Sequence, residues 1–238
     1  MISVCMATYN GERYIEEQLE SILKQIGDKD EIIISDDGST DSTIEIIKYY
    51  QKSNGNIKLV EGPKNGVIKN FENALKLSSG EIIFLADQDD IWVDGKVNQV
   101  LKEFEKKNII LVLHDAYIVD GEGRIIESSF YKHRKSKQGL ISNIVKNSYL
   151  GCCMAFKREL LNECLPFPPK IEMHDWWIGL MGEKIGEVVF IHKQYLMYRR
   201  HGNNVSSFQH HPIGKMIFNR VYLINQLRLR LKRDSRKC

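Results

Sequence analysis

Apolar runs of four to six residues alternate with stretches of helical period along the first half of the chain. Ile2-Ser3-Val4-Cys5-Met6-Ala7 reads as a buried strand, and Thr8-Tyr9-Asn10-Gly11 as a turn. Ile15, Leu19, Ile22 and Leu23 then recur at helical spacing, with Glu16, Glu17 and Glu20 off that face. The plan repeats. Glu31-Ile32-Ile33-Ile34-Ser35 is a strand, and Asp36 to Asp41 a loop in which Thr40 or Asp41 caps a helix through Ile44, Ile47 and Tyr50. Ile57 to Val60 is a third strand, and a helix follows through Phe71, Ala74 and Leu75. A fourth strand, Ile82 to Leu85, runs into Asp87-Gln88-Asp89-Asp90, before a helix expected near Trp92. This alternation predicts an α/β fold, a mostly parallel sheet flanked by helices.

Beyond about residue 105 the pattern loosens. Ile109 to Leu113 is another buried strand, Asp120-Gly121-Glu122-Gly123 a hairpin turn, and Tyr131 to Gln138 a polar, basic loop expected to be mobile. Val188 to Ile191 is a strand, and Leu196 to Arg199 a second candidate. From Ile213 onward, Ile217, Val221, Ile224 and Leu227 trace an amphipathic helix. Arg220, Arg228, Arg230, Lys232 and Arg233 make it increasingly basic. Such a helix suits an anionic bilayer, the domain surface or a partner chain.

A length of 238 residues suits one generous domain or a domain with a small appendage. A net charge of +3 gives no argument for nucleic acid. Cys5, Cys152, Cys153, Cys164 and Cys238 lack zinc-site spacing, so reduced thiols in a cytoplasmic protein are expected. There is no signal-peptide pattern at the N-terminus and no apolar run long enough to span a bilayer.

The chemistry concentrates at the strand ends, where open parallel sheets place ligands. Three carboxylates, Asp87, Asp89 and Asp90, follow the fourth strand. Like charges this close repel unless a cation neutralises them. Mg²⁺ or Mn²⁺ suits oxygen ligands and completes its shell with phosphate oxygens and water. The alternative is a solvated acidic turn capping a helix. The first loop offers Thr8, Tyr9, Asn10 and Glu12, and the second offers Asp36, Asp37 and Ser39. An aromatic face beside amide and carboxylate groups suits a nucleobase, although the second loop also fits ordinary turn-and-cap use. Neither G-x-G-x-x-G after the first strand nor a P-loop is present, so a nucleotide here would have its phosphates held by metal.

Ser3 to Gly11, Ile33 to Asp41 and Ala86-Asp87-Gln88-Asp89-Asp90 resemble the family-2 glycosyltransferases, and the likeness extends to about residue 205. The resemblance implies the GT-A fold over residues 1–205, with a nucleotide-sugar-binding half (1–105), an acceptor-binding, catalytic half (106–205) and a basic helical tail (206–238). It implies base contacts at Tyr9 and Asp37. It also implies a metal on the donor diphosphate, held by Asp87 and Asp89 with Asp89 as the direct ligand. Thr8, Asn10, Glu12 and Gln88 join the donor side. Lys69 and Asn70, early on the third helix, either reach the donor or form a solvated face.

In the second half, His174-Asp175-Trp176-Trp177 opens a helix after Pro166-Phe167-Pro168-Pro169. Sugar transfer to an alcohol requires a group to take the hydroxyl proton, and Asp175 is the candidate base, with an ordinary N-cap as the alternative. Family-2 enzymes usually carry Glu where His174 stands. Trp176 and Trp177 are divided between core and a platform for a sugar face, and the resemblance implies that Gly151 lines the acceptor side, beside cysteines read as small buried residues. His201, which alone reads as a surface or packing residue, is a candidate further metal ligand because its segment resembles the C-terminal His motif of GT-A enzymes, and Arg199 or Arg200 is a candidate phosphate partner. Residues 174–177 and 198–205 resemble the rhamnosyltransferase-like branch. That implies a dTDP-L-rhamnose donor, inversion, and a glycan or lipid-linked acceptor in bacterial surface polysaccharide synthesis. UDP-hexose or UDP-N-acetylhexosamine donors, and a non-catalytic nucleotide-sugar-binding protein, are the rivals.

Overall fold

The structure, a computed structural model, describes residues 1–202 and 212–234. Strands and helices alternate first as β1 (Ile2–Thr8), α1 (Ile15–Leu23), β2 (Glu31–Asp36), α2 (Thr43–Ser53), β3 (Ile57–Glu61), α3 (Val67–Leu77) and β4 (Ile82–Asp87). There follow β5 (Ile91–Trp92), α4 (Lys96–Phe104), β6 (Ile109–Val119), β7 (Ile125–Glu127), α5 (Phe130–Arg134) and α6 (Leu140–Val145). A 3₁₀ turn at Gly151–Cys153 leads to β8 (Met154–Lys157), α7 (Arg158–Cys164), α8 (His174–Ile185), β9 (Glu187–Arg199) and α9 (Ile213–Asp234).

One sheet runs in the order β3-β2-β1-β4-β8-β6-β9-β5, with β7 on β6. The first four positions are parallel, as the alternation predicts. β1 and β2 are buried along their length because helices cover both faces, which is why they read as unbroken apolar runs. β8 then runs antiparallel to both β4 and β6, while β6 and β9 are parallel. The register places Thr8 opposite Asp36 and Ala7 opposite Asp87. The loops after β1, β2 and β4 therefore share one rim.

Three expectations are corrected. Ile91–Trp92 is a strand paired antiparallel with Leu196 and Met197, not the start of a helix, which begins at Lys96. Residues 131–138 are not simply a loop: Tyr131 lies in α5 and is buried against Phe190. The two short strands near the end are one strand of 13 residues whose register shifts along β6. α2 starts at Thr43, and Asp41 accepts the Thr43 N–H at 3.0 Å and its hydroxyl at 2.5 Å. Cys5, Cys152, Cys153 and Cys164 are buried free thiols; Cys238 lies outside the described residues.

Candidate active site

Most polar side chains on the rim brace one loop against another. Thr8 is buried and donates its hydroxyl to Asp36 at 2.8 Å, and Asp36 accepts the N–H groups of Gly38 and Ser39. Asn10 sits at φ 49°, with its amide oxygen accepting the Thr40 N–H at 2.9 Å. Glu12 accepts the Ser42 N–H at 2.9 Å. Gln88 binds the backbone of Tyr9 twice, accepting from its N–H (2.9 Å) and donating to its carbonyl (3.1 Å). Asp37 receives the N–H groups of Lys64 (2.6 Å) and Gly66 (2.8 Å). Lys69 pairs with Glu72, and Asn70 is buried, donating to the Thr8 carbonyl, with its own oxygen unpartnered. Tyr9, 57% exposed, presents its ring to solvent above this braced surface.

Past the end of β4 the acidic cluster closes on β9. Asp90 is fully buried; one carboxylate oxygen accepts the Arg199 N–H at 2.9 Å and the other has no hydrogen-bond partner. The buried Arg199 guanidinium donates to the carbonyls of Asp89 and Gly121, both at 2.9 Å, and to Glu17. Asp89 meets His201 Nε2 at 2.8 Å, and the His201 ring stacks on Tyr14. Carboxylate oxygens of Asp87 and Asp90 and the Cys152 sulfur lie within 4.8 Å of one another. The packing around Asp87 pushes its carboxyl up to about 7, and the charges of Asp89 and Asp175 add to the shift. Burial, then the charges of Asp89 and Asp87, drive Asp90 well above the usual carboxylate range.

These residues fit a divalent cation. Adjacent carboxylates at this cost, with an oxygen left unpaired, are what a hard cation relieves. Cys152 is a poor ligand for it, because burial keeps its thiol protonated. Beneath the cluster Lys96 is fully buried, with Nζ donating to the Cys152 carbonyl at 2.8 Å and lying 4.0 Å from the Trp92 ring centroid. Burial lowers it to about 8, so it carries a proton at neutral pH and sets a fixed positive charge below Asp87 and Asp90. Sequence reasoning missed Lys96, counted Asp90 in the acidic cluster without giving it a ligand role, and offered Arg199 as an alternative phosphate partner, where the structure buries it as a clamp on protein groups. Asp90 stood inside the acidic motif, while a lone lysine opening a helix gives no such signal.

Asp175 stands across from Asp87, in the first turn of α8. One oxygen accepts the Gly151 N–H at 3.1 Å and the other the Trp176 N–H at 2.6 Å. Burial raises its carboxyl to about 6 against those hydrogen bonds. His174 is buried and stacked on Phe71 at 4.1 Å, with neither ring nitrogen partnered. Burial lowers it to about 3, so it is neutral at pH 7. The expected sugar platform is corrected: Trp176 (4% exposed) and Trp177 (0%) are both core, with their indole N–H groups donating to the carbonyls of Asn143 and Cys164. Arg200 donates to the Tyr198 hydroxyl at 3.1 Å. The motif's Asn203, Asn204 and Val205 lie outside the described residues.

Comparisons with known proteins agree with this geometry. The family model "Glycosyl transferase family 2" matches residues 3–165. The dTDP-rhamnosyl transferase RfbG of Shigella flexneri is 31% identical over 215 residues, covering 84% of this chain and 72% of that protein. The glucosyltransferase WfgD of Escherichia coli, named for UDP-Glc and a diphosphoundecaprenol acceptor, is 26% identical over 252 residues, covering 99% and 95%. The TarS structure from S. aureus in complex with UDP superposes with a TM-score of 0.67 at 25% identity, covering 84% of this chain and 60% of that one. The chain likewise spans 66% of a glycosyltransferase from Nostoc sp. to which it is 27% identical. Strand order, acidic rim and family match lead to one assignment: this chain belongs to glycosyltransferase family 2 and has the GT-A fold.

Proposed function

We propose that the chain is a metal-dependent, inverting glycosyltransferase that takes L-rhamnose from dTDP-L-rhamnose to a hydroxyl of a glycan or lipid-linked acceptor. The observation that carries this reading is the buried Asp175 carboxyl bound to the Gly151 N–H, one residue from Cys152, whose sulfur lies within 4.8 Å of the Asp87 and Asp90 carboxylate oxygens. Mg²⁺ or Mn²⁺ would be held by Asp87 and Asp89 with His201, beside the unpaired Asp90 oxygen. When bound, the cation supplies the positive charge that stabilises the departing nucleoside diphosphate.

The chain's own residues do the rest. Tyr9 stacks on the base from the braced rim, and Asp37 lies at the edge of that platform. Arg200 meets the diphosphate. Asp175 accepts the acceptor's hydroxyl proton as the oxygen attacks the anomeric carbon from the face opposite the leaving group, which inverts the centre. The N–H groups of Gly151 and Trp176 hold the carboxylate in place. Residues 1–105 serve the donor and 106–205 the acceptor, working in the cytoplasm at the inner face of the cell membrane.

The likeness to RfbG supports the rhamnosyl donor. The names of WfgD and of the TarS complex support the second reading, a UDP-hexose or UDP-N-acetylhexosamine donor. A panel of nucleotide sugars, assayed with Mn²⁺ for binding and slow donor hydrolysis, separates the two. The proposal expects dTDP-L-rhamnose to bind tightest and hydrolyse fastest. Preference for a UDP-sugar would replace the donor, and no uptake of any nucleotide sugar by folded protein would remove the catalytic reading.

A further inference from the structure

α9 has two faces with different work. Inward, Leu223 and Leu227 are each 3% exposed. Arg220 donates twice to the carbonyl of Val145, the last residue of α6. Arg230 donates to the carbonyls of Glu163, Leu165 and Pro166, around the end of α7. Each guanidinium thus meets the negative end of a short helix. The same two arginines lie over the rings of Trp176 and Trp177, next along the chain from Asp175. The inward face fixes α9 to the acceptor half.

Outward, Ile217, Phe218 and Val221 are 58%, 59% and 62% exposed. The adjoining α6 exposes Ile141 (79%) and Val145 (63%). Large apolar side chains on two touching helices form a patch of the kind that marks an interaction surface. Lys215 and Arg228 of α9 are exposed as well. Residues 213–234 hold six Lys or Arg and one Asp. No helix among the described residues is long and apolar enough to cross a membrane.

We propose that the α6–α9 face is a docking surface for an anionic phospholipid bilayer. Apolar side chains beside cations match an acyl boundary under acidic headgroups. A second copy of the chain would set cation against cation across a twofold axis. α9 packs on α8, whose first turn carries Asp175, so docking holds the acceptor half against the lipid surface. This deepens the lipid-linked-acceptor reading and rests on it.

Flotation of the full chain with vesicles tests the proposal. Wild type is expected to float with phosphatidylcholine–phosphatidylglycerol vesicles and not with phosphatidylcholine alone. The triple variant Ile217→Ser, Phe218→Ser, Val221→Ser should stay in solution with an unchanged melting curve, because all three side chains are exposed. Lys215→Gln and Arg228→Gln should each weaken partition roughly fivefold at low salt. Wild type that ignores anionic vesicles, or a triple variant that floats like wild type, overturns the proposal. So does light scattering that finds a wild-type dimer and a monomeric triple variant, since a second copy would then be the occupant. Donor binding, measured in solution without vesicles, reports separately on glycosyl transfer.

Discussion

Replacing Asp175 by Asn is expected to stabilise the protein while abolishing turnover. The carboxyl is held at about 6 against an ordinary 3.8, chiefly by burial. A gap of about two units corresponds to about 3 kcal/mol against the ionised form in the folded state. The sign follows from proton binding. Between pH 3.8 and 6 the folded chain binds a proton that the unfolded chain has lost, so wild-type stability falls as pH rises through that window. Asn escapes this penalty. Its amide nitrogen, however, faces one of the two N–H donors that Asp175 accepts, from Gly151 and Trp176, at a cost of ~1–2 kcal/mol. The net gain is ~1–2 kcal/mol above pH 6, with Tm rising about 2–4 °C per kcal/mol; it vanishes at about pH 5 and becomes a loss of ~1 kcal/mol at pH 4, where little of the burial penalty is left and the amide mismatch remains. Loss of a general base lowers kcat by ~10²–10⁴. Thermal unfolding at pH 4 and pH 7, with nucleoside diphosphate release and calorimetric donor binding, reads all of this. A variant that turns over within about tenfold of wild type would refute the base assignment. One destabilised equally at both pH values would refute the burial argument.

Other outcomes are equally specific. Tyr9→Ala leaves stability unchanged because the ring is exposed, and weakens nucleoside diphosphate binding by the ~1–3 kcal/mol of one base stack; an unaltered Kd in calorimetry would contradict it. Arg199→Met strips a buried guanidinium from Glu17 and from the carbonyls of Asp89 and Gly121. Urea unfolding should show a loss of ~3–5 kcal/mol and calorimetry a weaker Mn²⁺ site, while a stable variant with wild-type metal affinity would argue against the clamp. Gly179→Ala would put a Cβ 2.5 Å from the Tyr149 ring, and ~1–3 kcal/mol of destabilisation should appear in the same unfolding experiment.

What the sequence revealed depended on how local each signal was. β1, β2 and β4 are apolar on both faces, so they announce themselves and their ends locate the rim. β5 has two residues, too few for any period, and its pairing with Leu196 and Met197 depends on a strand about a hundred positions away. The reversal of β8 comes from sheet order, which no local pattern encodes. The acidic motif marked Asp87 and Asp89 correctly as rim residues. The work of Asn10, Glu12 and Gln88 as braces emerges only when loops 29 to 79 positions apart meet. Both tryptophans of the Asp175 motif went to the core for a similar reason: their acceptor carbonyls, Asn143 and Cys164, lie on other helices.

The site is built around uncompensated charge. Arg199 clamps the Asp89–Asp90 turn from β9, and Lys96 sits beneath it. Even so, Asp87 and Asp90 are held well above the ordinary carboxylate range. A divalent ion carrying a diphosphate is the ligand that would relieve this, and its relief is the central claim. Titration of nucleoside diphosphate into the folded chain by calorimetry, with Mn²⁺ and then with EDTA, tests it directly. Saturable heat with Mn²⁺ that disappears with EDTA and in Asp89→Asn is the predicted result; equal affinity with and without the metal contradicts the account.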